Sequence, residues 1–250
     1  MNCLDLFIFL FFSSSAFSQD IYTFEYESSA DPNRFYSEIQ SFLNEDVFIK
    51  SNKKLIVFTG SSSIRFWMGL KNDFGDYDIL NRGFGGSIFS DLNFFIEDLV
   101  IKHNPDLIVI YEGDNDIAFN IPLEKIYKDF KISHSKIRNK LKNTPIIYIA
   151  PKPSPSRWNF KENYIELNKM IQNFCKKKNN TYFFDSWTIM LDNQGNIPKK
   201  YFWKDMLHMN NLGYEVWKKN LEPLINRILN NETLYRKQIC RRVKNFIYSY

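Results

Sequence analysis

The sequence is poor in the residues that break regular structure or cross-link a small chain. Its 250 residues include nine glycines, nine prolines, three cysteines and three histidines, whereas 44% of the residues are hydrophobic and 17% are aromatic. This composition is typical of a globular protein with ample material for a core. At this length one large domain is favoured over two.

The sequence also lacks an apolar run long enough to span a bilayer comfortably. The run from Leu6 to Phe12 is followed by small residues, and Ala16 and Ser18 suit a signal-peptidase site before Gln19. We therefore expect residues 1–18 to be a signal peptide and the protein to be secreted or periplasmic. Because Asp5 precedes the run and no Lys or Arg does, an uncleaved anchor or a buried strand stays open as the alternative.

Cysteines are too few to form a disulfide framework. Removal of the signal peptide takes away Cys3 and leaves Cys175 and Cys240, which could pair in an oxidising compartment. Cys175 also falls on the apolar stripe of a predicted helix, where a free buried thiol is equally natural. The sequence leaves both possibilities open, and neither cysteine lies near a histidine as a nucleophile would.

Excess charge is confined to one end of the chain. The net charge is +5, and residues 231–250 alone carry +4, so the body between residues 19 and 230 is close to neutral. A body of this kind gives no electrostatic footprint for nucleic acid. Apolar residues at helical spacing make the basic tail an amphipathic helix that could lie on an anionic membrane, although packing on the protein itself or on a subunit is favoured. The oligomeric state is not predicted.

Short apolar runs alternate with segments of helical periodicity from about Lys54 onward, which is the pattern of a parallel α/β sheet. The predicted strands are 55–59, 77–81, 107–111, 146–150 and 182–184. We expect Ser90 to cap the helix after the second strand and Pro223 to kink or interrupt the last helix. The predicted divisions are an N-terminal helical extension at 19–50, a main domain at 51–230 and the basic tail at 231–250.

Polar residues and glycines follow the predicted strands at the edge where open parallel sheets bind ligands. Gly60-Ser61-Ser62-Ser63, Gly83-Phe84-Gly85-Gly86, Gly113-Asp114-Asn115-Asp116 and Asp205-Met206-Leu207-His208 supply hydroxyls, an amide and an Asp/His pair. Acyl transfer needs this set: a nucleophile, a base, an orienting carboxylate and oxyanion donors. Nucleotide-binding glycine motifs and a calcium-loop pattern are missing, and no metal or organic cofactor is expected.

These four blocks resemble, in order and approximate spacing, the signature blocks of the SGNH (GDSL-type) hydrolases. The resemblance implies a three-layer α/β/α fold with a flavodoxin-like parallel sheet of about five strands. It also implies Ser62 as nucleophile, His208 as base, Asp205 as the carboxylate that orients it, and an oxyanion hole formed by Ser62, Gly86 and Asn115. The family's Asp before the nucleophile is Ser61 here, and the string Gly-Ser-Ser-Ser-Ile-Arg resembles one branch of the superfamily.

The expected function is therefore hydrolysis of a short-chain O-acyl ester, with a carbohydrate or lipid as the alcohol, through an acyl-enzyme. An acyltransferase with the same catalytic residues and a catalytically silent carbohydrate-binding module are the alternatives. Of the other histidines, His103 lies past a helix end, and His134 is interpreted as a packing or surface residue. Lys152, Ser154 and Arg157, in the loop after the fourth strand, are candidates for shaping the substrate pocket.

Overall fold

The computed structural model of the protein describes residues 31–45 and 52–247, without the side chains of residue 32 and residues 231–247. A five-stranded sheet forms its centre, and every strand pairs in parallel with its neighbours. The strand order is β2-β1-β3-β4-β5, and the strands are β1 (Leu55–Gly60), β2 (Asp78–Gly83), β3 (Leu107–Tyr111), β4 (Ile146–Ile149) and β5 (Thr181–Phe184). The predicted α/β fold with a flavodoxin-like sheet is confirmed.

Helices connect the strands as parallel pairing requires. They are α1 (Tyr36–Glu45), α2 (Ser62–Arg65), α3 (Leu70–Asp73), α4 (Phe89–Leu99), α5 (Asp114–Ala118), α6 (Leu123–Lys140), α7 (Lys161–Cys175), α8 (Ser186–Ile189) and α9 (Asn211–Ile247). Short 3₁₀ helices lie at Pro32–Phe35, Ile101–His103, Pro155–Phe160 and Lys199–Tyr201. Within the described range, no helix is both long and apolar enough to cross a lipid bilayer.

Alternate residues of the strands bury the two faces of the sheet in separate cores. Val57 and Ile108 face a layer built from α1, α4, α6 and α7. Ile56 and Val109 face the opposite layer, where Trp67 and Trp217 of the segments around α2 and α9 are fully buried. Period-two alternation of side chains across a strand explains the division. The molecule is thus a three-layer sandwich.

The first core includes part of the predicted N-terminal extension. Phe35 and Ile39 are buried there, and the ring of Phe35 packs edge-on against Phe84, with 4.9 Å between the ring centroids. The described part of the extension therefore packs on the main domain. The predicted signal peptide lies outside the described residues. So do residues 19–30 and 46–50 of the predicted extension and residue 51 of the main domain.

One local expectation was wrong, and a second was wrong in part. Helix α4 begins at Phe89, before Ser90, because the carboxylate of Asp91 accepts the backbone N–H of Ile88 at 3.1 Å and so provides the cap. Of the kink or interruption expected at Pro223, the interruption does not occur, because the last helix continues through the proline to Ile247; the kink stays a prediction. Leu221 and Ile225 are fully buried on either side of the proline, and this packing offsets the backbone hydrogen bond that proline removes.

Cys175 is a free and buried thiol at the end of α7. The side chain of its predicted partner Cys240 lies outside the described residues, as do the apolar and basic side chains of the tail. Pairing of the two cysteines and membrane contact of the tail therefore stay predictions.

Candidate active site

The site lies where the strand order reverses between β1 and β3, the usual ligand position in an open α/β sheet. Gly60 ends β1 with a φ of +115°, and a Cβ there would come within 1.9 Å of the carbonyl oxygen of Tyr111. Only glycine fits this close approach of two strands. Ser61 follows, donates its N–H to the same carbonyl oxygen at 2.9 Å and precedes α2, so Ser62 begins that helix at the sheet edge.

The side chain of Ser62 contacts that of His208, although the two residues are 146 positions apart in the sequence. The Oγ of Ser62 lies 3.0 Å from Nε2 of His208, and Nδ1 of His208 lies 2.7 Å from Oδ2 of Asp205. Among the described side chains, His208 is the one histidine that contacts Ser62. His134 is instead buried, with its Nδ1 3.2 Å from the hydroxyl of Tyr148, and His103 ends a 3₁₀ helix.

The carboxylate of Asp205 is held in its ionised form. Burial opposes ionisation, but the N–H groups of Leu207 and His208 and the His208 side chain outweigh it and lower the pKa of Asp205. An ionised carboxylate only accepts hydrogen bonds, so the Nδ1 of His208 must carry the proton. Nε2 is then left to accept the hydroxyl proton of Ser62, which is the arrangement that general-base activation requires.

The candidate oxyanion donors are the backbone N–H groups of Ser62 and Gly86 and the side-chain amide of Asn115. Within the described chain, the backbone N–H groups of Ser62 and Gly86 donate to no protein acceptor. Gly86 has a φ of +82°, which favours glycine, and a Cβ there would meet nothing within 4 Å. Asn115, at the start of α5, donates through Nδ2 to Oγ of Ser61 at 2.7 Å and to the carbonyl oxygen of Ser87 at 2.9 Å. The amide of Asn115 thus contacts Ser61, which precedes Ser62, and Ser87, which follows Gly86.

Ser61 has a contact that the sequence did not suggest. It occupies the family's aspartate position, and its buried hydroxyl accepts one of the two Nδ2 hydrogens of Asn115. An oxyanion that uses this hydrogen must share it with Ser61 or displace the hydroxyl. Ser61 therefore contacts the side chain of Asn115, a candidate oxyanion donor.

A buried ionic cluster lies behind Asn115. The carboxylate of Asp114 accepts the hydroxyls of Tyr111 and Tyr164 and forms an ion pair with Arg157. Burial alone would raise the pKa of Asp114, but Arg157, Lys152 and the two hydroxyls hold it well below the usual range. Lys152 and Ser154, expected in the pocket, are buried. Lys152 instead contacts Asp114 at 3.7 Å and the carbonyl oxygen of Leu207 at 2.8 Å.

A second pair of acidic side chains, Glu112 and Asp116, is buried and forms no ion pair with a cationic side chain of the described residues. Burial raises the pKa of Glu112 well above its usual range, and the nearby Asp116 raises it further. Burial likewise raises the pKa of Asp116 to about 7. Sequence reasoning missed both residues as titrating groups, because nothing in the local pattern indicates that a Glu or Asp after β3 is buried near other carboxylates.

Aromatic side chains border the open side of the site. Phe66 packs edge-on against the imidazole of His208, with centroids 5.0 Å apart, and lies 6.0 Å from the ring of Trp203. Trp203 is nearly half exposed and donates its backbone N–H to the carbonyl oxygen of His208 at 2.9 Å. A partly exposed aromatic surface thus adjoins the base.

The profile of the GDSL-like lipase/acylhydrolase family matches residues 59–216. This range contains the last two residues of β1, the strands β2 to β5 and the site segments named above. Contact between Ser, His and Asp side chains in this order is an arrangement that serine hydrolases of several folds also have. The chain belongs to the GDSL-like lipase/acylhydrolase family, and this membership supports an enzyme that hydrolyses esters. No curated protein matches the chain.

Solved structures share the fold at low sequence identity. A proposed acylhydrolase from Bacteroides fragilis has a TM-score of 0.67 at 22% identity and covers 78% of this chain and 98% of its own. A GDSL-like lipase from Bacteroides thetaiotaomicron has a TM-score of 0.62 at 19% identity, covering 79% and 98%. A catalytic mutant of an acetylxylan esterase from Geobacillus stearothermophilus has a TM-score of 0.57 at 16% identity, covering 72% and 95%. Such identities establish the shared fold alone.

Proposed function

We propose that the protein is a serine esterase that acts through an acyl-enzyme, with Ser62 as nucleophile. The observation that carries the proposal is the chain of two contacts, 3.0 Å from Ser62 Oγ to His208 Nε2 and 2.7 Å from His208 Nδ1 to Asp205 Oδ2. Ser62 Oγ attacks the acyl carbonyl while His208 takes its proton, and His208 then protonates the departing alcohol. Water activated by His208 releases the acid and regenerates the serine. Asp205 orients the imidazole throughout.

The tetrahedral oxyanion is stabilised by the N–H groups of Ser62 and Gly86 and by the amide of Asn115. Two of these donors have no competing acceptor in the described chain, and the start of α2 adds its positive end at Ser62. Donors fixed in advance stabilise the charge that develops in the transition state without reorganising. No metal or organic cofactor takes part in this mechanism.

The proposed substrate is a short-chain acyl ester, such as an acetyl ester, of a carbohydrate. The acetylxylan esterase among the structures of the same fold supports this choice. The partly exposed rings of Phe66 and Trp203 beside the base support it further, because flat apolar surfaces suit the faces of sugar rings. A lipid ester is the second candidate. The predicted signal peptide places the enzyme outside the cytoplasm, and the catalytic domain is proposed to span residues 51–230.

An acyltransferase would use the same first step and differ only in the acceptor, a sugar hydroxyl in place of water. A catalytically silent carbohydrate-binding module would be expected to have lost the nucleophile or the Asp/His pair, whereas here both are present and in contact. Hydrolysis is therefore the function that the geometry favours.

The proposal is tested by labelling residues 19–250 with a fluorophosphonate probe and by measuring acid release from p-nitrophenyl acetate and from acetylated xylo-oligosaccharides. We expect the wild type to label and to turn over both substrates. Ser62→Ala should abolish labelling, and His208→Ala should slow it strongly, because the serine then has no base.

Ser63→Ala is the matched control, since Ser63 lies next to Ser62 in α2 and is buried. It should label as the wild type does. A folded wild-type protein that neither labels nor releases acid would contradict the esterase proposal and favour the binding module. Release of p-nitrophenol from p-nitrophenyl acetate only in the presence of a sugar acceptor, with the acetyl group recovered on the sugar and not as free acetate, would favour the acyltransferase.

A further inference from the structure

The amide of Asn115 is held in one orientation by three partners. Its Nδ2 donates to the carbonyl oxygen of Ser87 at 2.9 Å and to Ser61 Oγ at 2.7 Å, and its Oδ1 accepts from Nη2 of Arg157 at 2.9 Å. A carbonyl oxygen can only accept, and a guanidinium can only donate. Rotating the amide by half a turn would therefore set Nδ2 against the guanidinium and Oδ1 against a carbonyl oxygen. Arg157 and Ser87 together decide that the donor end faces the nucleophile.

Arg157 is itself fixed by a buried anion. Its Nη1 bonds to Oδ1 of Asp114, the residue directly before Asn115, so one guanidinium holds two consecutive side chains at the start of α5. The hydroxyls of Tyr111 and Tyr164 bind the same carboxylate. These partners, together with Lys152, outweigh the effect of burial and keep Asp114 ionised, with a pKa well below the usual range. Arginine suits this position because its planar guanidinium directs two N–H donors in fixed directions, one to each side chain.

The same cluster reaches the base. Lys152 is fully buried, 3.7 Å from the carboxylate of Asp114, and it donates to the carbonyl oxygen of Leu207 at 2.8 Å. Leu207 lies between Asp205 and His208. The loop after β4 adds a second tie, from the N–H of Ser156 to the carbonyl oxygen of Met206 at 3.1 Å. The loop that contains Arg157 thus contacts both the oxyanion side and the base side of the site.

We propose that Arg157 is a positioning residue of the oxyanion hole, which acts on the reaction by fixing the amide of Asn115. The inference rests on the esterase activity proposed above. Arg157 has no part in binding the ground-state ester in this arrangement, so its loss lowers kcat and leaves KM nearly unchanged. Its effect also depends on the presence of Asn115, which separates positioning from a general contribution to folding.

A double-mutant cycle on p-nitrophenyl acetate tests this dependence. Arg157→Lys keeps a cation beside Asp114 but loses the second arm of the fork. We expect kcat to fall by about 10- to 100-fold, within the limit set by loss of one oxyanion donor, about 10²–10³. KM should stay within about twofold. In an Asn115→Ala background the same Arg157→Lys change should alter kcat by less than about twofold.

Equal fold-changes in the two backgrounds, or an unchanged kcat in Arg157→Lys, would overturn the proposal. Thermal unfolding followed by circular dichroism establishes that each variant is folded, and Arg157→Gln replaces Arg157→Lys in the cycle if the lysine variant is not. Failure of the esterase proposal is distinct: a wild type without esterase activity overturns both proposals, whereas an active wild type with an additive cycle overturns only this one.

Discussion

Asp116 is the buried carboxyl whose titration the structure makes easiest to test. It lies in α5 directly after Asn115 and is 1% exposed. Its Oδ1 accepts the N–H of Phe89 at 3.1 Å, whereas its buried Oδ2 has no hydrogen-bond partner among the described residues. Burial raises the pKa of Asp116 to about 7, and the carboxylates of Asp91 and Asp129 contribute in the same direction. We predict that Asp116→Asn removes a pH-dependent loss of stability.

The sign follows from the proton bound in each state. In the unfolded chain Asp116 has its usual pKa of 3.8, so between about pH 4 and 7 the folded protein holds a proton that the unfolded chain has lost. Stability is therefore fully present below pH 4 and falls as pH rises toward 7. One pKa unit corresponds to about 1.4 kcal/mol, so raising the pH from 5 to 8 should cost the wild type about 3 kcal/mol through this group.

Asparagine preserves the acceptor for Phe89 and cannot ionise. Urea unfolding followed by tryptophan fluorescence at pH 5 and pH 8 measures the free energy of unfolding of the wild type and Asp116→Asn. Groups that do not interact with Asp116 titrate alike in both proteins and cancel in the difference, which reports Asp116 together with its effect on the pKa of Glu112. We expect the variant to gain about 3 kcal/mol on the wild type between pH 5 and pH 8. A difference that does not change with pH would refute the reasoning.

Three further changes have definite expectations. Asn115→Ala should lower kcat for p-nitrophenyl acetate by about 10²–10³ with little change in KM, and an effect confined to KM would show that the amide binds substrate instead. Gly86→Ala should lower the free energy of unfolding by about 1–2 kcal/mol in urea, because its φ is +82° although a Cβ has room; an unchanged stability would contradict the strain argument. Burial raises the pKa of the Cys175 thiol to about 12, so in a Cys3→Ala, Cys240→Ala background Ellman's reagent at pH 8 should react only after denaturation, and rapid reaction of the native protein would contradict that burial.

The fold was predictable because its signals are local. Runs such as Leu55–Gly60 and Leu107–Tyr111 are apolar along their length, as strands buried on both faces must be, and the helices between them have one apolar stripe. The predicted strand bounds agree with those of the structure to within a few residues. The second strand, for example, extends to Gly83, whereas the prediction ended it at Asn81. The predicted cap of α4 was wrong because Ser90 and Asp91 can each cap a helix, and only the backbone conformation decides between them.

The candidate site was predictable to the extent that its residues follow strands. Ser62, Gly86 and Asn115 each come after a strand of the same parallel sheet, and the fold brings them to one edge. His208 comes from a loop, and its assignment as the base depended on the family resemblance. The structure places it against Ser62, while the catalytic roles stay proposals.

The contacts that the sequence did not reveal have one physical cause. The environment of a buried charge depends on its partner, and the partner is distant in sequence. Arg157 is 42 residues from Asn115, in a loop where a surface arginine would be equally ordinary. An unpaired buried charge at Arg157 would lower the stability of the fold by several kcal/mol. The ion pair with Asp114 therefore allows a guanidinium to lie beside the amide of Asn115.

Ser61 is a second example of a polar contact with Asn115. A carboxylate there would accept a hydrogen bond from Asn115 as the hydroxyl does, but would bring a negative charge next to the developing oxyanion. The neutral hydroxyl avoids that repulsion, and Ser61→Asp should therefore slow the acylation step rather than restore it toward the family pattern.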